Sequence, residues 1–219
     1  MTTTLSYAAQ RDEMQARMAA QAPAELVRGF ATAAKRLDEL DFAARAPKLG
    51  DHAPDFALPD QRGDEVYLSA VLRAGPVVLI FYRGAWCPYC NLQLRTFQAQ
   101  LDRFAELGAA LVAISPQTPD NSLSMVEKNQ LGFLVLSDVG AKVIDRYGLR
   151  YDVDAQTRAL LESVGNDVGT HNGPGGWVLP AAATFVIDVD GEVRYAHVRG
   201  DWTERADPAR VLVVLGTLR

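Results

Sequence analysis

Apolar residues in the first 45 positions recur at roughly helical spacing. Leu26, Phe30, Leu37 and Leu40 form a stripe in a segment otherwise rich in Ala, Gln, Glu, Arg and Met, which predicts a helical N-terminal extension. The pattern stops at Ala46-Pro47-Lys48-Leu49-Gly50, and a turn-rich stretch through Pro54 and Pro59 follows. The chain therefore divides into an extension over 1–46 and a domain over 47–219. In the domain, Asp55 to Leu58 and Glu65 to Leu68 flank a Pro-Asp-Gln-Arg-Gly turn and predict a short hairpin. The apolar run from Pro76 to Tyr82 predicts a buried central strand.

From Pro88 to Leu107 the apolar residues Leu94, Phe97, Leu101 and Phe104 lie on one helical face, with Gly108 placed to end the helix. Ala109 to Ile114 is a second strand. A helix follows from Asp120, the candidate N-cap after Pro119, to about Leu131. Phe133 to Leu136 is a third strand and Lys142 to Tyr147 a short helix. A polar, glycine-rich loop spans Gly165 to Gly176. Thr184 to Asp188 and Glu192 to Val198 flank Asp190-Gly191, a strong hairpin signal. Asp207-Pro208 opens a last helix through Leu218. Parallel crossovers followed by an antiparallel hairpin imply an α/β fold, a mixed sheet with helices on both faces.

Composition narrows the function. The 219 residues are 48% hydrophobic and carry a net charge of -5, enough for a full core and opposed to a phosphate-backbone footprint, so no nucleic acid partner is expected. The Pro76–Tyr82 run is far shorter than the ~20 residues that span a bilayer. The start of the chain lacks a basic-then-apolar signal pattern. No membrane association is expected, and a cytoplasmic location is. The N-terminal stripe is expected to pack on its own domain, with a homodimer contact as the alternative.

The chemistry centres on the two cysteines in Trp86-Cys87-Pro88-Tyr89-Cys90. Two cysteines three apart do not make the framework of a disulfide-stapled scaffold. A thiol reacts as its thiolate, and the free value of ~8.5 must fall for reactivity at neutral pH. Cys87 follows a predicted strand and starts a predicted helix, where unpaired N–H groups and the helix dipole favour an anion. Cys90, one turn on, reaches Cys87 on the same side of the helix. Arg83 is a candidate cation for a thiolate or a bound peroxide, and Trp86 a candidate docking surface beside the sulfur. Two blander readings compete. Buried cysteines behave as small hydrophobes, and a zinc site needs two further ligands that His52, His171 and His197 do not supply by spacing, so no metal is expected.

These residues resemble the peroxiredoxin-like branch of the alkyl hydroperoxide reductase and thiol-specific antioxidant family. The likeness runs over about residues 47 to 219. It is carried by Ala53-Pro54-Asp55-Phe56-Ala57-Leu58, by Val78 through Cys90 and by Ala183-Thr184-Phe185-Val186-Ile187-Asp188 with Asp190-Gly191, and the tail Asp201-Trp202-Thr203-Glu204-Arg205 also looks like a family segment. It implies a thioredoxin-like three-layer α/β/α fold and a thiol peroxidase. In that enzyme Cys87 attacks a hydroperoxide to become a sulfenic acid, and Cys90 condenses with it to a disulfide. A thioredoxin- or glutaredoxin-type donor then restores the dithiol, with no metal or organic cofactor.

Two positions depart from the family pattern. The loop before Cys87 is Arg83-Gly84-Ala85-Trp86, without the usual peroxide-orienting Thr, and Ala182 stands where an activating Arg is expected. Arg83, Arg199 and Arg205 are the candidate substitutes for that cation. The alternatives are a thiol-disulfide oxidoreductase using the same pair, since Trp-Cys-x-x-Cys resembles thioredoxin and Cys-Pro-Tyr-Cys glutaredoxin, and a redox-sensing module. Pro180 lies two residues early for the proline loop of such reductases. His171 is expected in an exposed loop, and Arg205 is expected to pair with Asp201 at the surface.

Overall fold

In the computed structural model, which describes residues 6–218, the amphipathic N-terminal segment forms helices α1 (Tyr7–Gln21), α2 (Ala24–Asp38) and α3 (Phe42–Arg45). The Ser6 hydroxyl accepts from the Ala9 N–H at 3.2 Å and the Asp41 carboxylate from the Ala44 N–H at 3.3 Å. Each satisfies a donor that a first turn leaves unpaired. Leu37 is buried in the main core and Phe30 lies against it and Leu161. Leu40, beyond the end of α2, is 53% exposed. Phe30 and Leu37 of the stripe therefore pack within their own chain, and Leu40 lies largely exposed.

The elements that follow are β1 (Ala57–Pro59), β2 (Glu65–Tyr67), α4 (Leu68–Leu72), β3 (Val77–Phe81), α5 (Pro88–Gln98), α6 (Leu101–Glu106), β4 (Ala110–Ser115), α7 (Pro119–Asn129), β5 (Leu134–Ser137) and α8 (Lys142–Arg146). After them come β6 (Arg150–Asp152), α9 (Ala155–Ser163), α10 (Val168–Asn172), β7 (Val178–Pro180), β8 (Ala182–Ile187), β9 (Val193–Arg199) and α11 (Pro208–Gly216). The central sheet has the order β5-β4-β3-β8-β9, parallel from β3 through β5 and antiparallel at β8 and β9. Two small ribbons, β1-β2 and β6-β7, flank it.

Strand β3 is covered on both faces, which is why its sequence is an unbroken apolar run. Val77, Leu79 and Phe81 join Leu37, Phe42, Leu68 and Ile144 in one core, and Val78 and Ile80 join Leu94, Phe97, Phe104 and Val211 in the other. Helices thus cover both faces of a mixed sheet in three layers. Among the described residues, no helix is long and apolar enough to cross a membrane.

Three expectations change. The helix predicted over 88–107 breaks at Ala99-Gln100 into α5 and α6. In one continuous helix Phe97 and Phe104 would stand roughly 10 Å apart along the axis, whereas the break brings their rings into a stack with centroids 5.7 Å apart. Gly108 does end the second piece, in a left-handed conformation at φ 72°. The N-cap of α7 is Thr118 and not Asp120, because Pro119 takes the first helical position, where its missing N–H costs nothing. Finally, residues 150–180 are ordered as β6, α9, α10 and β7. Pro180 sits in the two-stranded ribbon opposite Arg150, a setting that tolerates a strand proline.

Candidate active site

The site is assembled where β3 meets α5. Leaving the strand, the chain turns through Arg83-Gly84-Ala85-Trp86, and Cys87 becomes the N-cap of α5 with Pro88 at its first position. The Cys87 N–H donates to the Gly84 carbonyl at 3.1 Å. A Cβ on Gly84 would overlap the indole nitrogen of Trp86, so the turn needs glycine there for space. Two amide side chains fix the loop. The Asn91 Nδ2 donates to the carbonyls of Ala85 and Cys87, each at 2.8 Å, and the Ala85 N–H donates to Gln117 Oε1 at 2.7 Å. Asn129 Nδ2 donates to Asn91 Oδ1 at 2.8 Å and holds that residue from α7.

Both sulfurs are covered, Cys87 at 1% exposure and Cys90 at 0%, and both are free thiols. Cys90 Sγ accepts from the Arg83 N–H at 3.4 Å and from Arg205 Nη2 at 3.7 Å. Arg83 itself is buried, its guanidinium 4.9 Å from the ring centre of Trp86 and 4.5 Å from that of Trp202. Desolvation raises both thiols. For Cys90 it is outweighed by the hydrogen bond from Cys87 and the charges of Arg205 and Arg83, which hold Cys90 well below the ordinary thiol value. For Cys87, desolvation and the adjacent Cys90 push the thiol well up despite Arg83 and Arg205. The charges of Arg83 and Arg205 thus favour a thiolate within the pair against the cost of its burial. Arg83 Nε and Nη2, Arg205 Nε and the Tyr151 hydroxyl are buried polar atoms with no hydrogen-bond partner among the described residues. Arg83, Arg205 and Tyr151 all lie close enough to interact electrostatically with the sulfurs.

Of the residues singled out in the sequence, Cys87, Cys90, Arg83 and Trp86 come together here. Trp86 is half-buried against both the Leu161–Val168–Leu179 cluster and the core beneath α5. The expected surface pair of Arg205 and Asp201 does not form. Arg205 is 5% exposed and turned onto Cys90, while Asp201 accepts from the Thr203 N–H at 2.8 Å. The Asp201 carboxylate is taken up by its own backbone turn, and the Arg205 guanidinium is turned inward to donate to Cys90. Arg199 lies at the surface beside Asp38, 3.5 Å away. His171 is not in an open loop but half-buried on α10, its Nδ1 3.3 Å from Asn121 Oδ1. Among the described residues no group of three or more His, Cys, Asp or Glu gathers as for a metal ion. Asn91, Gln117, Tyr151 and Tyr7 carry no motif that marks them in the sequence. Asn91 alone left a signal, as a polar residue one turn after Cys87 in an amphipathic helix.

Residues 49–196 match the AhpC/TSA family. The chain belongs to the AhpC/TSA family. It is 33% identical over 147 residues to a putative peroxiredoxin of Mycobacterium tuberculosis, covering 67% of this chain and 82% of that protein. It is 33% identical over 155 residues to peroxiredoxin Bcp of Escherichia coli, covering 71% and 86%. The crystal structure of peroxidoxin BcpB from Mycobacterium tuberculosis superposes with a TM-score of 0.62 at 29% identity, over 79% of this chain and 99% of that one. The protein is therefore a peroxiredoxin-type oxidoreductase with a thioredoxin-like fold. The matched family segment ends before Trp202 and Arg205 and begins after α1.

A histidine beside the site gives this family member a pH-dependent stability. Burial, reinforced by the positive charges of Arg205 and Arg199, lowers the His197 imidazole to about 4. An unfolded histidine, near ~6.5, takes up its proton first as the pH falls. The unfolded state therefore binds more protons between about pH 6.5 and about pH 4, and up to about 3 kcal/mol of folding stability is lost across that window. Thermal denaturation should show Tm falling from about pH 7 to about pH 4, and His197→Gln should flatten that fall. An equally steep decline in His197→Gln would assign the loss to other groups.

Proposed function

We propose that the protein reduces small hydroperoxides by attack of Cys87, that Cys90 resolves the sulfenic acid, and that a thioredoxin- or glutaredoxin-type protein returns the disulfide to the dithiol. The observation that carries this reading is the pair of buried, free thiols with Arg83 and Arg205 close to both. In this reading Cys90 serves as the base for its neighbour. Transfer of the Cys87 proton to Cys90 creates the Cys87 thiolate at the N-terminus of α5, where N–H groups favour it.

That thiolate attacks the terminal oxygen of ROOH, forming the S–O bond as the O–O bond breaks. The departing RO− takes the proton stored on Cys90 and leaves as ROH. Cys90 is thereby a thiolate again, beside a sulfenic acid. Its attack on the Cys87 sulfur forms the disulfide and expels hydroxide, which leaves as water after gaining a proton. The unpartnered donors of Arg83, Arg205 and Tyr151 suit the oxygens of a peroxide and the alkoxide that forms from it.

Complete burial of both sulfurs favours a small substrate over a protein disulfide. Reduction by a protein donor requires the first turn of α5 to open, since a donor thiolate needs access to a sulfur. The test supplies NADPH, a thioredoxin system and either hydrogen peroxide, an alkyl hydroperoxide or a mixed disulfide. NADPH consumption should depend on peroxide. Turnover of the mixed disulfide alone, without peroxide consumption, would establish the disulfide-reductase reading instead.

A further inference from the structure

Arg205 sits on the short irregular connection between β9 and α11, yet its guanidinium is fully enclosed and aimed at Cys90. Asp38 of α2 holds the start of the connection by accepting from the Gly200 and Asp201 N–H groups at 3.0 and 3.2 Å, and α1, from the other end of the chain, holds the part around Arg205. The Tyr7 hydroxyl donates to the Thr203 carbonyl at 2.9 Å. The Tyr7 N–H donates to Asp207 Oδ2 at 3.0 Å, while Asp207 Oδ1 caps α11 by accepting from the Ala209 N–H at 2.9 Å. Arg11 pairs with Glu204. These contacts bracket Arg205 on both sides in sequence. Two turns on from Tyr7, along the same face of α1, Gln15 Nε2 reaches the Tyr89 hydroxyl on α5 at 3.4 Å, so one helix touches both the cation's segment and the thiol's helix.

We propose that α1 is a working part of the catalytic site, a clamp that holds Arg205 against Cys90, with Tyr7 as its positioning residue. The inference rests on the peroxidase reading for its consequence on turnover, but not for its effect on the thiol. Tyr7 is 2% exposed and its phenol interacts electrostatically with Arg205, Cys87 and Cys90, as a residue against the inner side of the site must. A contact of a few tenths of an ångström decides the strength of a charge-assisted hydrogen bond. Loosening of the 203–207 connection would therefore weaken Arg205's hold on the thiolate while the fold around α5 stayed intact. Tyr7, Arg11, Thr203, Glu204 and Asp207 all lie outside residues 49–196, the segment that matches the family.

The test uses the full chain and reads the thiolate directly, by its ultraviolet absorbance against pH, and the first turnover with hydrogen peroxide. Tyr7→Phe keeps the ring and removes one grip. It should raise the thiolate midpoint by about half a pH unit and slow the peroxide reaction about threefold to fivefold at neutral pH, the size of one lost hydrogen bond. Arg11→Met, one turn along the same face, should shift both in the same direction, and Arg17→Ala on the exposed face should shift neither. In an Arg205→Met background Tyr7→Phe should have no further effect on the midpoint. A wild-type midpoint in both Tyr7→Phe and Arg11→Met would overturn the clamp, and so would a Tyr7→Phe shift that persists without Arg205. A thiolate that responds as expected in a protein inert to peroxide would support the clamp and remove the peroxidase reading.

Discussion

Replacing Cys87 with serine is expected to lower peroxide consumption by at least about a thousandfold, the scale on which a covalent nucleophile is missed. Serine fills the site with little change of volume, but its hydroxyl does not ionise near neutral pH, and no nearby base is strong enough to compensate. Cys90→Ser separates the roles. If Cys90 both stores the proton and resolves the sulfenic acid, its loss should leave one slow equivalent of peroxide reduced, with a sulfenic acid on Cys87 that a carbon nucleophile traps. Rapid mixing with hydrogen peroxide, followed by mass analysis of the trapped adduct, measures both steps. Should Cys90→Ser abolish the first equivalent while Cys87→Ser retains it, the attacking sulfur is Cys90, whose thiol is held low with the help of Arg205 and Arg83.

Much of the fold could be read from local patterns, because its central elements are strongly periodic or uniformly apolar. Strand β3, the β8–β9 hairpin around Asp190-Gly191 and the Asp207-Pro208 start of α11 all follow from residue types whose physics is local. The break between α5 and α6 was not readable in this way. The apolar positions keep helical spacing across it, and only the tertiary stacking of Phe97 on Phe104 rewards the interruption. Residues 150–180 hid their order for the opposite reason. Their helices are short and begin with local caps, Asp154 on α9 and Asp167 on α10, while their apolar residues are too few to display a period.

The site divides along the same line. Cys87, Cys90, Arg83 and Trp86 sit within eight consecutive positions, so motif and placement sufficed to find them. Arg205 is 115 residues from the sulfur that it touches, and nothing local distinguishes it from an arginine that pairs with a nearby carboxylate. The resemblance leads one to expect a cation at Ala182, and of the three arginines weighed in its place Arg83 and Arg205 lie near the sulfurs while Arg199 lies beside Asp38. Tyr7 is further removed still, since its effect passes through the segment that carries Arg205.

Arg205→Met should cost about a hundredfold in the rate of reaction with hydrogen peroxide at neutral pH, the scale for removing one buried donor aimed at developing charge. Methionine retains much of the packing volume while discarding the charge. Without the guanidinium, desolvation of Cys90 is opposed by less, so its thiolate forms at a higher pH. The sign follows. Below the new midpoint less of the pair is ionised and the rate falls. As the pH rises through that midpoint, the part of the loss due to ionisation is recovered, and the part due to transition-state stabilisation is not. The acidic limb of the pH–rate profile therefore moves toward alkaline pH and its plateau drops. Arg205→Lys should recover the limb better than the plateau, because an ammonium supplies charge without the planar fork of N–H donors that can span a sulfur and a peroxide oxygen together. If the limb stays in place in Arg205→Met, the charge on Cys90 is maintained from Arg83 alone. Arg83→Met would then be the variant that moves it.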